Sequence, residues 1–121
     1  MPLNFAFESN VGVFRTVGDV EYEKGLKVLK KGLAAIVKRG EPHAVLFDLR
    51  ESAERRTADE IRGIADVVKG ETLSGRLALV ADEDLYYGLS RMFESYAEYA
   101  GFDCLVFREY DPALDWLVQP S

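Results

Sequence analysis

The sequence predicts an α/β fold: a mainly parallel sheet of about five strands, about four helices, and an antiparallel edge strand supplied by an N-terminal hairpin. Three observations carry this. His43–Leu49 and Arg76–Ala81 are nearly continuous apolar runs, as expected of strands covered on both faces. The segments between such runs repeat apolar residues at spacings of three and four, the mark of one-sided helices. The chain also opens with two β-branched runs parted by Ser9-Asn10, which reads as a hairpin. Strands and helices alternating in this way imply parallel pairing through right-handed crossovers.

Taken in order, Leu3–Glu8 and Val11–Val17 are the hairpin strands. In the second, Val11, Val13, Arg15 and Val17 share one face while Gly12, Phe14 and Thr16 share the other. Asp19 is a candidate N-cap for a helix from about Glu21 to Lys38, whose stripe is Tyr22, Leu26, Leu29, Leu33, Ile36 and Val37. Gly25 and Gly32 inside it each cost about 1 kcal/mol against alanine, and their spacing suggests a close approach to the sheet or a partner. After the His43–Leu49 strand comes a polar loop, residues 50–56. Thr57-Ala58-Asp59-Glu60 is a capping box opening a second helix, with Ile61, Ile64, Ala65 and Val68 inward and an end near Gly70. Following Arg76–Ala81, the acidic turn Asp82-Glu83-Asp84 opens an aromatic helix, Leu85 to Ala100. Its expected inward stripe is Leu85, Leu89, Met92, Phe93, Tyr96 and Ala100. Cys104–Phe107 is the last strand. Asp111-Pro112 reads as an N-cap with proline at the first helical position, beginning a short closing helix through Leu117.

The 121 residues suit one domain, 1–121, with no linker or repeat array. The single cysteine, Cys104, cannot form an internal disulfide, and no apolar run approaches the roughly 20 residues of a membrane span. The N-terminus has no signal-peptide pattern, so a cytoplasmic location is expected. A net charge of −6 argues against nucleic acid as a partner. That charge is unevenly spread. Residues 15–39 hold seven bases and three acids, a local +4, and residues 82–116 hold nine acids and two arginines, a local −7. The simple account is two solvated surfaces, and the sharper one is complementarity between subunits.

Several segments together resemble a known family. They are the hairpin, the strand ending Phe47-Asp48-Leu49-Arg50, Leu77–Ala81, the run Tyr87-Gly88-Leu89-Ser90-Arg91-Met92-Phe93, and Phe107, Ala113, Trp116 and Leu117 near the end. They are similar to small stand-alone bacterial STAS/SEC14-domain, or SpoIIAA-like, proteins, and the resemblance spans nearly the whole chain. It implies a β-α superhelix with helices largely on one side of the sheet. Relatives in that superfamily include anti-sigma-factor antagonists phosphorylated on a serine at the start of the helix after the Asp-ending strand. Thr57 occupies roughly that position and is the candidate modification site. The Asp-Ser-Ser/Thr-Gly pattern is absent, the loop being longer and reading Glu54-Arg55-Arg56-Thr57, so sigma-factor control is not carried over. The SEC14 resemblance implies lipid or other apolar ligands.

No catalytic constellation emerges. His43 begins a strand at the end opposite the sheet's C-terminal edge, where ligands usually bind, and reads as structural. Cys104 lies in an apolar strand with no cation to activate it. One histidine and one cysteine make zinc ligation within a chain improbable, and no phosphate-binding loop or nucleophile elbow is present, so neither metal nor cofactor is expected. Two candidate sites stand out. Arg50, Arg55 and Arg56 beside the helix start at Thr57 form a candidate anion site, the simple alternative being that they pair with Glu51, Glu54 and the acidic loop. Tyr86, Tyr87, Met92 and Tyr99 are candidates for a subunit interface or a shallow apolar pocket. The leading expectation is a non-catalytic module that binds itself, as a dimer, or a protein partner. The alternative is a carrier or sensor of a small apolar or anionic ligand, favoured by a cavity beneath the Tyr86–Tyr99 helix. An enzyme using Asp48, Arg50, Tyr87 or Arg91 comes third.

Overall fold

The computed structural model describes residues 3–71, 73 and 75–120. Its elements in chain order are β1 (Leu3–Glu8), β2 (Val11–Gly18), α1 (Tyr22–Arg39), β3 (His43–Ser52), α2 (Ala58–Gly70), β4 (Gly75–Val80), α3 (Asp84–Tyr99), β5 (Asp103–Phe107) and α4 (Tyr110–Val118). The strands form one sheet in the order β1-β2-β3-β4-β5. Only β1 and β2 are antiparallel, and each later strand adds in parallel. The hairpin turns on Ser9 and Asn10, both at positive φ (51° and 65°), the backbone a two-residue primed turn needs.

Side-chain alternation divides the strands between two cores. Phe14, Val45, Leu77, Leu79 and Cys104 join the cluster under α1, α2 and α3, whereas Val13, Ala44, Leu46, Ala78 and Val80 pack with Ala113 and Leu117 of α4. Val45 and Val80 have no exposed surface, which is why β3 and β4 read as unbroken apolar runs. Three helices cover one face and one covers the other.

The capping box at α2 is present in full: Thr57 Oγ1 accepts from the Glu60 amide and a Glu60 carboxylate oxygen accepts from the Thr57 amide. Gly32 has the close approach its cost implied, since a Cβ there would stand 2.4 Å from the Phe14 ring.

Four expectations need correction. α1 is capped by Glu21, whose side chain accepts from the Glu23 amide, and not by Asp19. α4 begins at Tyr110 with Glu109 as its cap, so Asp111 lies in the first turn. There Pro112 is tolerated because those amides need no intrahelical partner. β3 runs through Ser52, so Arg50 stands on a strand and not in a loop. The extra length is held by a bulge. Arg15 pairs with Asp48 but Val17 pairs with Glu51, so β3 carries one residue more than β2. Finally, α3 is rotated from the expected stripe. Leu85 is 50 % exposed, and the buried face is Tyr86, Ser90, Phe93 and Ala97, flanked by Glu94.

Candidate functional site

A cavity of about 120 Å³ lies between α1, α2, α3 and the sheet. Its floor is set by strand register. Phe14, Phe47 and Leu79 are lateral neighbours on β2, β3 and β4, all on the three-helix face. Phe14 and Phe47 stack at 5.4 Å, and Phe47 meets Phe93 of α3 edge-on at 5.7 Å. The walls come from the helices' apolar stripes, with Leu26 and Leu29 from α1, Ile61 and Ile64 from α2, and Tyr86 and Leu89 from α3. Gly25 of α1 also lines it, and a Cβ there would stand 3.3 Å from Val20.

The bulge shapes one end of this cavity. Leu49 faces it, and strict alternation would then turn Ser52 away. The additional residue resets the alternation, and Ser52 lines the cavity together with Thr16, Glu54 and Arg56. Here Arg56 pairs with Glu54, donates to the Val20 carbonyl at 2.5 Å, and lies over the Tyr22 ring. The Glu54 amide donates to Ser52 Oγ at 3.2 Å, and Thr16 adds a hydrogen bond to the Glu54 side chain. Burial pushes the Glu54 carboxyl above its ordinary value despite the arginine.

One polar residue beside the cavity is different. Ser90 is 2 % exposed and lines the cavity, and its Oγ has no hydrogen-bond partner.

On the opposite face the same register sets Arg15 beside Asp48. Asp48, buried, accepts from Arg15 Nε at 2.8 Å and from Arg50 Nε and Nη2 at 2.9 and 2.8 Å. Burial alone would raise the Asp48 carboxyl, but the hydrogen bonds from Arg50 and Arg15 outweigh it and hold the group below its ordinary value. Both arginines lie over the Tyr110 ring, whose hydroxyl donates to Glu8 at 2.7 Å. Burial, reinforced by that bond, pushes the Tyr110 hydroxyl up to about 12.

The structure therefore separates the candidate anion residues. Arg50 belongs to the Asp48 cluster on the α4 face, Arg56 to the cavity on the three-helix face, and Arg55 is exposed between them. Thr57 is exposed and its hydroxyl serves the capping box. Arg56 does pair with Glu54, but Arg50 takes Asp48 and the acidic loop's arginine is Arg108, on Asp84 at 2.8 Å. Of the α3 candidates, only Tyr86 lines the cavity. Tyr87 lies under Arg108, Met92 packs half-buried against the core, and Tyr99 is 94 % exposed. His43 is buried at the start of β3. Burial pushes the Cys104 thiol up to about 12, far from a reactive thiolate.

Sequence reasoning did not single out Thr16, Glu54 or Ser90 as site residues. A signal for the last existed: Tyr86, Ser90, Phe93 and Ala97 follow helical spacing of four, three and four, with a serine in the middle of an inward face.

This architecture recurs in a solved structure. It is an uncharacterised DUF3478-family protein with a SpoIIAA-like fold from Shewanella loihica PV-4, and the match covers 95 % of this chain and 91 % of that one at a TM-score of 0.61. The chain has a SpoIIAA-like fold. At 20 % identity the likeness concerns the fold alone. No protein-family model matches the chain, and no curated protein is significantly similar to it in sequence. Within the SpoIIAA-like fold, the cavity sits between the three helices and the sheet, and the Asp48 cluster occupies the other face. Among the described residues, no helix is long and apolar enough to cross a membrane.

Proposed function

We propose that this protein is a carrier or sensor that takes a small, largely apolar molecule into the cavity beneath α3. The observation that carries this is the cavity itself, floored by Phe14, Phe47 and Leu79 and walled by three helices. Apolar clefts with a few convergent polar groups are the usual form of small-ligand sites. Filling about 120 Å³ with apolar atoms is worth on the order of 3 kcal/mol, close to a hundredfold in affinity. Binding without chemistry fits the groups at hand, because the one carboxylate in the lining, Glu54, is tied to Arg56.

Benzene is the simplest test. Titration followed by amide and methyl chemical shifts is expected to move Phe14, Leu26, Leu79 and Phe93, and Leu26→Trp is expected to abolish those shifts. Saturable shifts elsewhere, or none, would defeat the reading. Native mass spectrometry of freshly purified protein checks independently for a retained small molecule.

Self-association is a second reading, supported by apolar surface near one sheet edge. Tyr99 at the end of α3 is 94 % exposed, and Leu105 on the edge strand β5 is 39 % exposed.

A further inference from the structure

The ligand class can be narrowed from the cavity's volume and its polar inventory, and this step rests on the cavity being a binding site. An engineered apolar cavity of about 150 Å³ in another protein admits benzene. The present cavity, partly open to solvent and about 120 Å³ in volume, holds about one six-membered ring within its walls. A diacyl lipid does not fit inside it.

Shape points the same way. Phe14 and Phe47 are stacked at 18° between planes, and Phe93 stands edge-on to Phe47 at 65°. With three aromatic side chains in the lining, a flat guest has partners for the offset-stacked and edge-to-face contacts that aromatic pairs prefer.

Polarity decides the remaining feature. Glu54 and Arg56 neutralise each other, Arg56 also engages the Val20 carbonyl, and Ser52 and Thr16 are engaged with Glu54. A charged guest would have to break that set and would bring a second charge into apolar surroundings. Ser90 needs only a turn of its own side chain toward the guest. Its Oγ is the one buried side-chain polar atom without a partner among the described residues, and it can donate once and accept twice.

We infer that the site takes a neutral, ring-sized molecule bearing one hydroxyl, a phenol in chemical class, with the ring against Phe14, Phe47 and Phe93 and the hydroxyl on Ser90 Oγ. The guest satisfies an atom that is otherwise buried without a hydrogen bond, so hydroxylated and plain rings are distinguished at a single point.

The test compares phenol, benzene and hexan-1-ol on wild type and Ser90→Ala by titration calorimetry and chemical-shift mapping. Ser90→Ala removes only an unpartnered hydroxyl from a helix and is expected to fold. The inference predicts that Ser90→Ala weakens phenol about tenfold, the worth of one hydrogen bond, and leaves benzene within about twofold. It also predicts that phenol binds wild type more tightly than hexan-1-ol. Equal effects of the substitution on phenol and benzene, or tighter binding of hexan-1-ol, overturn the phenol class while the cavity reading stands. Absence of binding by benzene and phenol alike overturns both.

Discussion

Asp48 shows how one buried charge is made tolerable. Its carboxylate is 2 % exposed, and two arginines that keep more than a third of their side chains in water supply its hydrogen bonds. Removing one partner of a buried charge pair typically costs about 3–5 kcal/mol. Because Arg15 and Arg50 can rehydrate, Asp48→Asn is expected to cost about 3 kcal/mol in chemical denaturation, the low end of that range. The sign with pH follows from the lowered value. Above pH 3.8 the carboxyl is charged both folded and unfolded and its contribution is complete, and below it that contribution is lost as the folded group takes a proton. The stability gap between wild type and Asp48→Asn should therefore narrow as pH falls below 3.8, and a constant gap would show that the charge contributes nothing. Gly32 makes the complementary case, where the missing atom matters. Alanine there gains about 1 kcal/mol of helix propensity. Its Cβ would also meet the Phe14 ring at 2.4 Å and Phe5 at 2.9 Å. Overpacking of this kind costs about 1–3 kcal/mol. Gly32→Ala is thus expected to lower Tm by several degrees and, by pushing Phe14 into the cavity, to weaken benzene binding.

Elements differ in how much of their placement is local. α2 begins where four consecutive residues say it should, since the capping box needs only its own side chains. Thr57→Ala should cost about 1 kcal/mol in thermal unfolding and leave benzene affinity unchanged, because the threonine serves the helix end and not the cavity. A large loss of affinity would mean that the end of α2 belongs to the binding surface. The hairpin, the buried runs of β3 and β4 and the α1 stripe were legible for the same reason: each is a short-range pattern of sequence. The α3 face was not, because Ser90 interrupts its apolar spacing and an exposed leucine, Leu85, offers a better-looking stripe one residue away. The end of β3 was also hidden. Arg50 and Glu51 are polar and read as loop, but pairing with β2 across the bulge keeps them in the sheet and turns Ser52 toward the cavity. That outcome depends on a neighbouring strand more than thirty residues away, as does the partition of Arg50 and Arg56 onto opposite faces.

At the scale of the molecule, charge was readable from sequence because sums need no geometry, yet its consequence depends on topology. The net −6 hides a +4 over residues 15–39 and a −7 over residues 82–116. α1 packs on β1, β2 and β3, whereas α3 packs on β5, and β1 and β5 are opposite edges of the sheet. Positive and negative surfaces therefore lie toward opposite ends. Complementarity between such ends bears directly on self-association, since a two-fold axis between them sets each basic end against the partner's acidic end, residue i on j and j on i. A two-fold axis through either patch would instead face basic with basic or acidic with acidic, and like charges brought together at an interface cost several kcal/mol. Two arrangements satisfy both patches, an antiparallel two-fold pair and a head-to-tail contact, and the second continues into chains unless the rotation closes a ring. Electrostatic association of either kind would be weak and concentration-dependent. Salt should remove it, since screening acts over about 10 Å at 0.1 M and about 3 Å at 1 M. Sedimentation velocity is expected to show the average mass rising with protein concentration at low ionic strength and returning to one subunit at high salt. A discrete dimer that persists in high salt would place the contact instead on apolar surface, with Tyr99 and Leu105 the first residues to substitute.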